Sequence, residues 1–198
     1  MRLICAALIA LPATASTSHA QADYYARLGL TGSTKLVRDR LFQEVEVRPG
    51  LAPTLVLGAA LPFTLTYRAG LEATLTTSGY DAREQDADSD LGTLRTIAMV
   101  LGIDGPILGR LGWRGGVGLI RYWPSQEEGI FLQGGSTRLL VGGGIDFRPP
   151  VMQKWDLMMS LRYDFHRFTT DELAARRFTG TQGVQRISAS IGLARGRR

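Results

Sequence analysis

Residues 63–75, FTLTYRAGLEATL, place an apolar or aromatic side chain at every second position: Phe63, Leu65, Tyr67, Ala69, Leu71, Ala73 and Leu75. Thr64, Thr66, Arg68, Gly70, Glu72 and Thr74 lie between them. A period of two marks a β-strand with one apolar and one polar face. Eight segments of this kind follow one another, over 24–33, 45–59, 63–76, 93–103, 108–123, 137–148, 155–167 and 185–195. Most exceed the about 5 to 6 residues common in soluble strands and suit the about 9 to 11 that a tilted strand needs to cross a bilayer. Alternation alone leaves open which face meets a core, water or lipid.

The links between segments narrow the choice. Ala60-Leu61-Pro62, Asp104-Gly105-Pro106 and residues 149–154 form short links, whereas residues 77–92 and 169–183 form long polar ones. Short turns on one rim and long loops on the other are the layout of an outer-membrane barrel, with periplasmic turns and extracellular loops. The pattern predicts an all-β fold, an eight-stranded antiparallel up-and-down transmembrane β-barrel. An even number of strands brings both ends of the chain to the same, periplasmic rim.

The first residues agree with export. Arg2 precedes an apolar run through Leu11, and small residues follow up to Ala20-Gln21-Ala22, the arrangement of a secretory signal with an A-x-A-like cleavage site. Pro12 and the small polar stretch after it argue against a buried helix. Residues 1–22 are therefore read as a signal peptide and 23–198 as one barrel domain. Cys5, the single cysteine, falls in the signal, so the remainder holds no disulfide and no thiolate metal site.

Composition changes little except in the choice of cation. The chain is 44% hydrophobic and 21% charged, enough to fold. Its net charge of +5 does not mark a nucleic-acid partner, because the basic residues are spread singly along the strands and the chain is exported. Lys35 and Lys154 are the only lysines; arginine is favoured where a cation must be paired and hydrogen-bonded. The polar faces of two late segments read Arg138, Leu140, Gly142, Gly144, Asp146 and then Asp156, Met158, Ser160, Arg162, Asp164, His166. Small residues with charges of both signs suit a narrow lumen. A lumen ion-pair network of Arg27, Arg68, Glu72, Arg110, Arg114, Asp146, Arg162 and Asp164 is expected, with Arg114 opposite Asp146. Aromatic belts are expected at Tyr24, Tyr25, Phe63, Phe147 and Trp155 near the short-turn rim, and at Tyr122, Trp123, Phe165 and Phe168 near the long-loop rim.

With its signal, its turn-loop alternation and segments such as FTLTYRAGLEATL and RLLVGGGIDF, the chain resembles the small eight-stranded outer-membrane barrels of Gram-negative bacteria, the class of the outer membrane protein A transmembrane domain and of opacity-type surface proteins. It departs from that class in ending Gly-Leu-Ala-Arg-Gly-Arg-Arg, where an aromatic residue is usual. The resemblance implies an integral outer-membrane protein with a plugged lumen and a structural or surface-interaction role in its extracellular loops. It implies outer-membrane lipid, lipopolysaccharide and the barrel assembly machinery as partners, a monomeric state and no cofactor.

The residues offer two other functions. His166, with Asp164 two positions earlier on the same face and Ser188 on the next strand, offers the groups of a lipid-modifying hydrolase at the rim. The expected register, however, sets Asp164 opposite Ser188 and His166 opposite Arg186. The His-x-Ser-Asn order of outer-membrane lipid A deacylases is also missing, because Arg167 and Phe168 follow His166. The reading is therefore non-enzymatic. A soluble periplasmic lipocalin-like binding barrel would keep the alternation but reverse the two faces. The acidic stretch DAREQDADSD, 81–90, lacks the glycine and final glutamate of a calcium loop, so no metal is expected.

Overall fold

The structure, a computed structural model, describes residues 22–39, 45–84, 87–127, 129–132, 134–175 and 182–195. The expected signal, apart from Ala22, lies outside them. Among the described residues the strands are β1 (Asp23–Ser33), β2 (Val37–Asp39), β3 (Val45–Pro49), β4 (Ala52–Pro62), β5 (Arg68–Glu84) and β6 (Ala87–Leu108). They continue with β7 (Leu111–Pro124), β8 (Thr137–Phe147), β9 (Pro150–Met152), β10 (Trp155–Phe168) and β11 (Gln182–Arg195). Eight of them close a ring, β1-β4-β5-β6-β7-β8-β10-β11 and back to β1, each neighbour antiparallel. Closure leaves no unpaired sheet edge around the wall, which is the condition for a β-structure to stand in hydrocarbon.

Alternation sorts the side chains between two faces. Leu28, Leu101 and Leu139 point outward and are 65%, 65% and 78% exposed, while Arg27, Glu72 and Asp146 point inward and are each 3% exposed. An apolar exterior around a charged interior is the reverse of a soluble binding barrel, and the lipocalin-like reading fails on it.

The links differ from expectation in placement. Leu61 and Pro62 belong to β4, and the turn is 63–67, where the Thr64 hydroxyl accepts hydrogen bonds from the backbone N–H of Thr66 (3.2 Å) and Tyr67 (2.8 Å). The opening half of FTLTYRAGLEATL is thus a threonine-capped turn, and the strand begins at Arg68. Asp104, Gly105 and Pro106 lie inside β6, and the chain reverses at Gly109, whose φ of +56° favours glycine. The long polar link 77–92 is mostly strand: β5 and β6 stay paired out to Glu84 and Ala87. The antiparallel pair β2–β3 adds to this extension through β3, so residues 45–59 are two strands.

The belts are corrected in the same way. Tyr24, Phe63, Phe147, Trp155 and Trp123 are exposed on the outside, and Phe165 is half-buried there. Tyr25, Tyr122 and Phe168 are buried inside the barrel, because each has the sequence parity of an inward residue: Arg27, Arg114 and Asp164 respectively. Tyr67 and Trp113 join the exterior at the turn rim, their rings 6.3 Å apart edge to face.

Candidate functional site

The interior is layered from the turn rim to the loop rim. At the turn rim the Arg68 guanidinium binds two carboxylates, Asp104 (Nε to Oδ2, 2.7 Å) and Asp23 (Nη1 to Oδ2, 2.5 Å). Above it, Glu72 on β5 gathers three arginines. Arg162 on β10 donates from Nη1 to Oε1 at 2.9 Å, and Arg27 on β1 and Arg114 on β7 both pair with Oε2. Around the ring β10 is four strands from β5 in either direction, and β1 and β7 are two strands away. Glu72 therefore ties the wall across its diameter and to both sides.

Further contacts widen the cluster. Tyr25 donates its hydroxyl to Glu72 at 2.9 Å and accepts a hydrogen bond from Arg114, whose guanidinium lies 4.6 Å from the centre of the Tyr25 ring. Asp146 pairs with Arg114 at 3.1 Å and with Arg27 and Arg148 at 3.6 Å. Arg162 also donates from Nε to Asp164 at 2.7 Å. Small residues make the room: a Cβ on Gly58 would fall 2.1 Å from the Tyr25 ring, and one on Gly142 would fall 1.7 Å from Asp164. Charges removed from water this far cost several kcal/mol each unless matched, and here each carboxylate faces at least one guanidinium.

Of the eight residues expected in the network, Arg27, Glu72, Arg114, Asp146, Arg162 and Asp164 meet in one cluster, and Arg68 forms a second nearer the rim. Arg110 is the correction. It stands exposed in the turn after β6, since β6 runs on past Pro106 and carries the reversal to Gly109-Arg110. Arg114 lies opposite Gly144, not Asp146, and reaches the carboxylate diagonally because its side chain is long. Sequence reasoning missed Asp23, Tyr25, Asp104 and Arg148. Parity marked Tyr25, but aromatic character assigned it to a belt.

A band of hydroxyl groups follows. Thr31 bonds Thr54 (2.7 Å) and Ser188 (2.8 Å), and Thr76 bonds Thr96 (2.5 Å). The buried Arg186 guanidinium donates to Thr76 and Thr96, both at 3.3 Å. The three hydrolase candidates lie around this band but do not form a triad. Asp164 accepts from Arg162, Ser188 bonds Thr31, and His166 Nε2 pairs with the Tyr122 hydroxyl at 2.6 Å. The register is two residues from the expected one: Asp164 faces Arg186, His166 faces Val184 and Arg162 faces Ser188.

The loop rim is closed by apolar side chains. Tyr80, Phe131 and Phe168 stand edge to face, with ring centres 6.0 and 5.9 Å apart, and Tyr122 meets Phe168 at 5.2 Å. Leu36, Leu94, Ile120, Val184 and Leu173 are among the aliphatic side chains that join the cluster. Leu173 is delivered by the short helix α1 (Asp171–Ala175), whose first turn is capped where Leu173 N–H donates to the Thr170 hydroxyl at 3.2 Å. The preceding carbonyl, Thr169, accepts from Ser136 Oγ at 2.8 Å and from Arg138 Nε at 2.9 Å, which fastens this loop to β8.

The sequence matches no protein-family model and no curated protein. Solved structures share its fold. Ail, the attachment invasion locus protein of Yersinia pestis, in complex with the heparin analogue sucrose octasulfate, superposes with a TM-score of 0.53 at 13% identity, covering 88% of this chain and 99% of that one. Neisserial surface protein A gives 0.52 at 13% identity over 88% and 96%. The outer membrane protein AlkL gives 0.52 at 14% identity over 91% and 92%. The fold is that of the small outer-membrane β-barrels.

Proposed function

We propose that this chain, built on that fold, is an integral protein of a Gram-negative outer membrane, exported by the signal at residues 1–22, whose lumen is plugged and whose loops carry a structural or surface-interaction role. The observation that carries the reading is the inversion of faces: leucines exposed all around the wall, and Glu72 bound to Arg27, Arg114 and Arg162 inside it. Two barriers lie in series along the lumen, the Glu72 cluster and the aromatic group at the loop rim. The reading is non-catalytic, since Ser188, His166 and Asp164 spend their hydrogen bonds on different partners. A surface role also fits the structure of Ail with a sulfated ligand, a property of that protein.

The test is refolding of the full chain into phospholipid vesicles and planar bilayers. A folded barrel is expected to migrate differently in SDS before and after boiling, and to show no steady conductance. A single unshifted band overturns the membrane reading, and steady conductance from the shifted band overturns the plug. A changed acylation pattern of lipid A that is lost in His166→Ala overturns the non-catalytic reading.

A further inference from the structure

At the turn rim the lumen opens into a cavity of about 370 Å³, walled by the turn 63–67, the reversal between β6 and β7 and the end of β8. Arg68, Asp104 and Asp146, already paired inside the barrel, line it together with two arginines that are not matched in the same way. The Arg148 guanidinium reaches one carboxylate, Asp146, at 3.6 Å, and Arg114 holds that carboxylate more closely, at 3.1 Å. Arg110 is exposed, and among the described residues no ion pair engages it. The backbone N–H of Arg148 donates to the Arg110 carbonyl at 3.0 Å, which keeps the two residues side by side. Burial, and next the nearby Arg68 guanidinium, hold Arg148, in the turn after β8, below its ordinary pKa, as befits a cation short of counter-charge. The exposed charges of the rim share this sign: among the described residues they are Arg110, Lys154 and Arg195, whereas Asp23, Asp104 and Asp146 are buried and Asp156 is half-buried. Leu65, Pro106, Leu111 and Trp113 give the cavity an apolar edge.

We propose that this cavity is a binding site for a small organic carboxylate, with the carboxylate held by Arg110 and Arg148 and the carbon part laid against the apolar edge. That the site faces the periplasm rests on the reading of the chain as an outer-membrane barrel. Guanidinium groups offer a carboxylate paired, charge-assisted hydrogen bonds, and the volume falls in the range of small-molecule sites, about 300 to 1,000 Å³. A singly charged group suits the walls better than a phosphate dianion, because Asp104 and Asp146 also line the cavity and repel each added negative charge. The Glu72 cluster closes the lumen behind the cavity, so the site holds a ligand without passing it on.

The experiment titrates the full chain, folded in detergent micelles, with phenylacetate, its neutral analogue phenylacetamide and phenyl phosphate in a calorimeter. Wild type is expected to bind phenylacetate at least about tenfold more tightly than phenylacetamide, and Arg110→Ala with Arg148→Ala to lose at least about tenfold of that affinity. Arg110→Lys with Arg148→Lys keeps most of it, and Arg95→Ala, exposed at the opposite rim, keeps all of it. Equal binding of phenylacetate and phenylacetamide by wild type, or undiminished binding by a double alanine variant that still shows the heat-dependent gel shift, overturns the site. Should the double variant lose that shift, Arg110→Ala alone decides: about threefold weaker binding supports the site, and unchanged binding overturns it. Tighter binding of phenyl phosphate than of phenylacetate overturns the carboxylate assignment. A wild-type chain that shows no gel shift overturns the outer-membrane reading, and the site with it, whereas a shifting chain that binds no phenylacetate overturns the site alone.

Discussion

The two halves of the lumen are lined from the same strands yet hold their walls together differently. Toward the turn rim, Glu72, Asp146 and Asp164 bind Arg27, Arg114 and Arg162 across the full width of the barrel. Toward the loop rim, Tyr80, Phe131 and Phe168 interlock with aliphatic side chains delivered partly by the loops. The ionic half is directional: removing one buried charge leaves its partners short of a counter-charge. The apolar half is non-directional, and a lost side chain leaves a cavity that the loops can partly collapse. A charged cluster suits the membrane-spanning wall, where backbone cannot move to fill a gap, and an apolar cap suits the end where loops can fold inward.

Removing the hub tests this contrast most sharply. Glu72→Ala leaves three buried guanidinium groups with only Asp146 and Asp164 to balance them and is expected to cost about 3 to 5 kcal/mol, seen as the largest fall in the temperature at which the compact gel band is lost. A shift no greater than that of a surface substitution would mean that Glu72 is not the tie across the barrel. Phe168→Ala should cost about 3 kcal/mol by opening a cavity in the cap. Its distinguishing sign is faster proteolysis of residues 169–183 while the membrane-embedded wall stays protected; uniform loss of protection would show that cap and wall unfold together.

Gly58→Ala pushes a methyl group into the Tyr25 ring, so the ring and the Arg114 guanidinium beside it must move. A cost of about 1 to 3 kcal/mol is expected, and rescue by Tyr25→Ala in the same chain would identify the ring as the obstacle. Arg110→Ala lies at the bottom of the scale: its side chain stands in solvent beyond the wall, and the gel transition should be unchanged. A fall comparable to that of Glu72→Ala would return Arg110 to the network.

Much of this was legible in the residues. The eight segments mark the eight wall strands, with seven of the eight overlapping one wall strand along most of their length and the second divided between β3 and β4. The inward assignment of Arg27, Glu72, Arg114, Asp146, Arg162 and Asp164 came from parity alone. The same rule, applied without regard to residue type, places Tyr25, Tyr122 and Phe168 inside; treating them as interfacial aromatics broke it. Turns were harder, because Pro62 and Pro106 read as breakers although a strand tolerates proline near its end, where the ladder hydrogen bond is dispensable. The loop-rim cap was hidden for another reason: Leu36, Phe131 and Leu173 come from links, and no periodicity assigns a link to one face.

By itself, then, the sequence determined strand number, the face each strand residue occupies, and that the interior must balance arginine with carboxylate. The tertiary structure alone decided the pairing. A slip of one residue would turn every side chain to the wrong face, but a slip of two leaves both faces intact, so nothing in the alternation separates Asp164 facing Ser188 from Asp164 facing Arg186. Closure of the ring then brought Glu72 to Arg162, 90 residues away along the chain, a contact set by barrel diameter and strand stagger and by no local pattern.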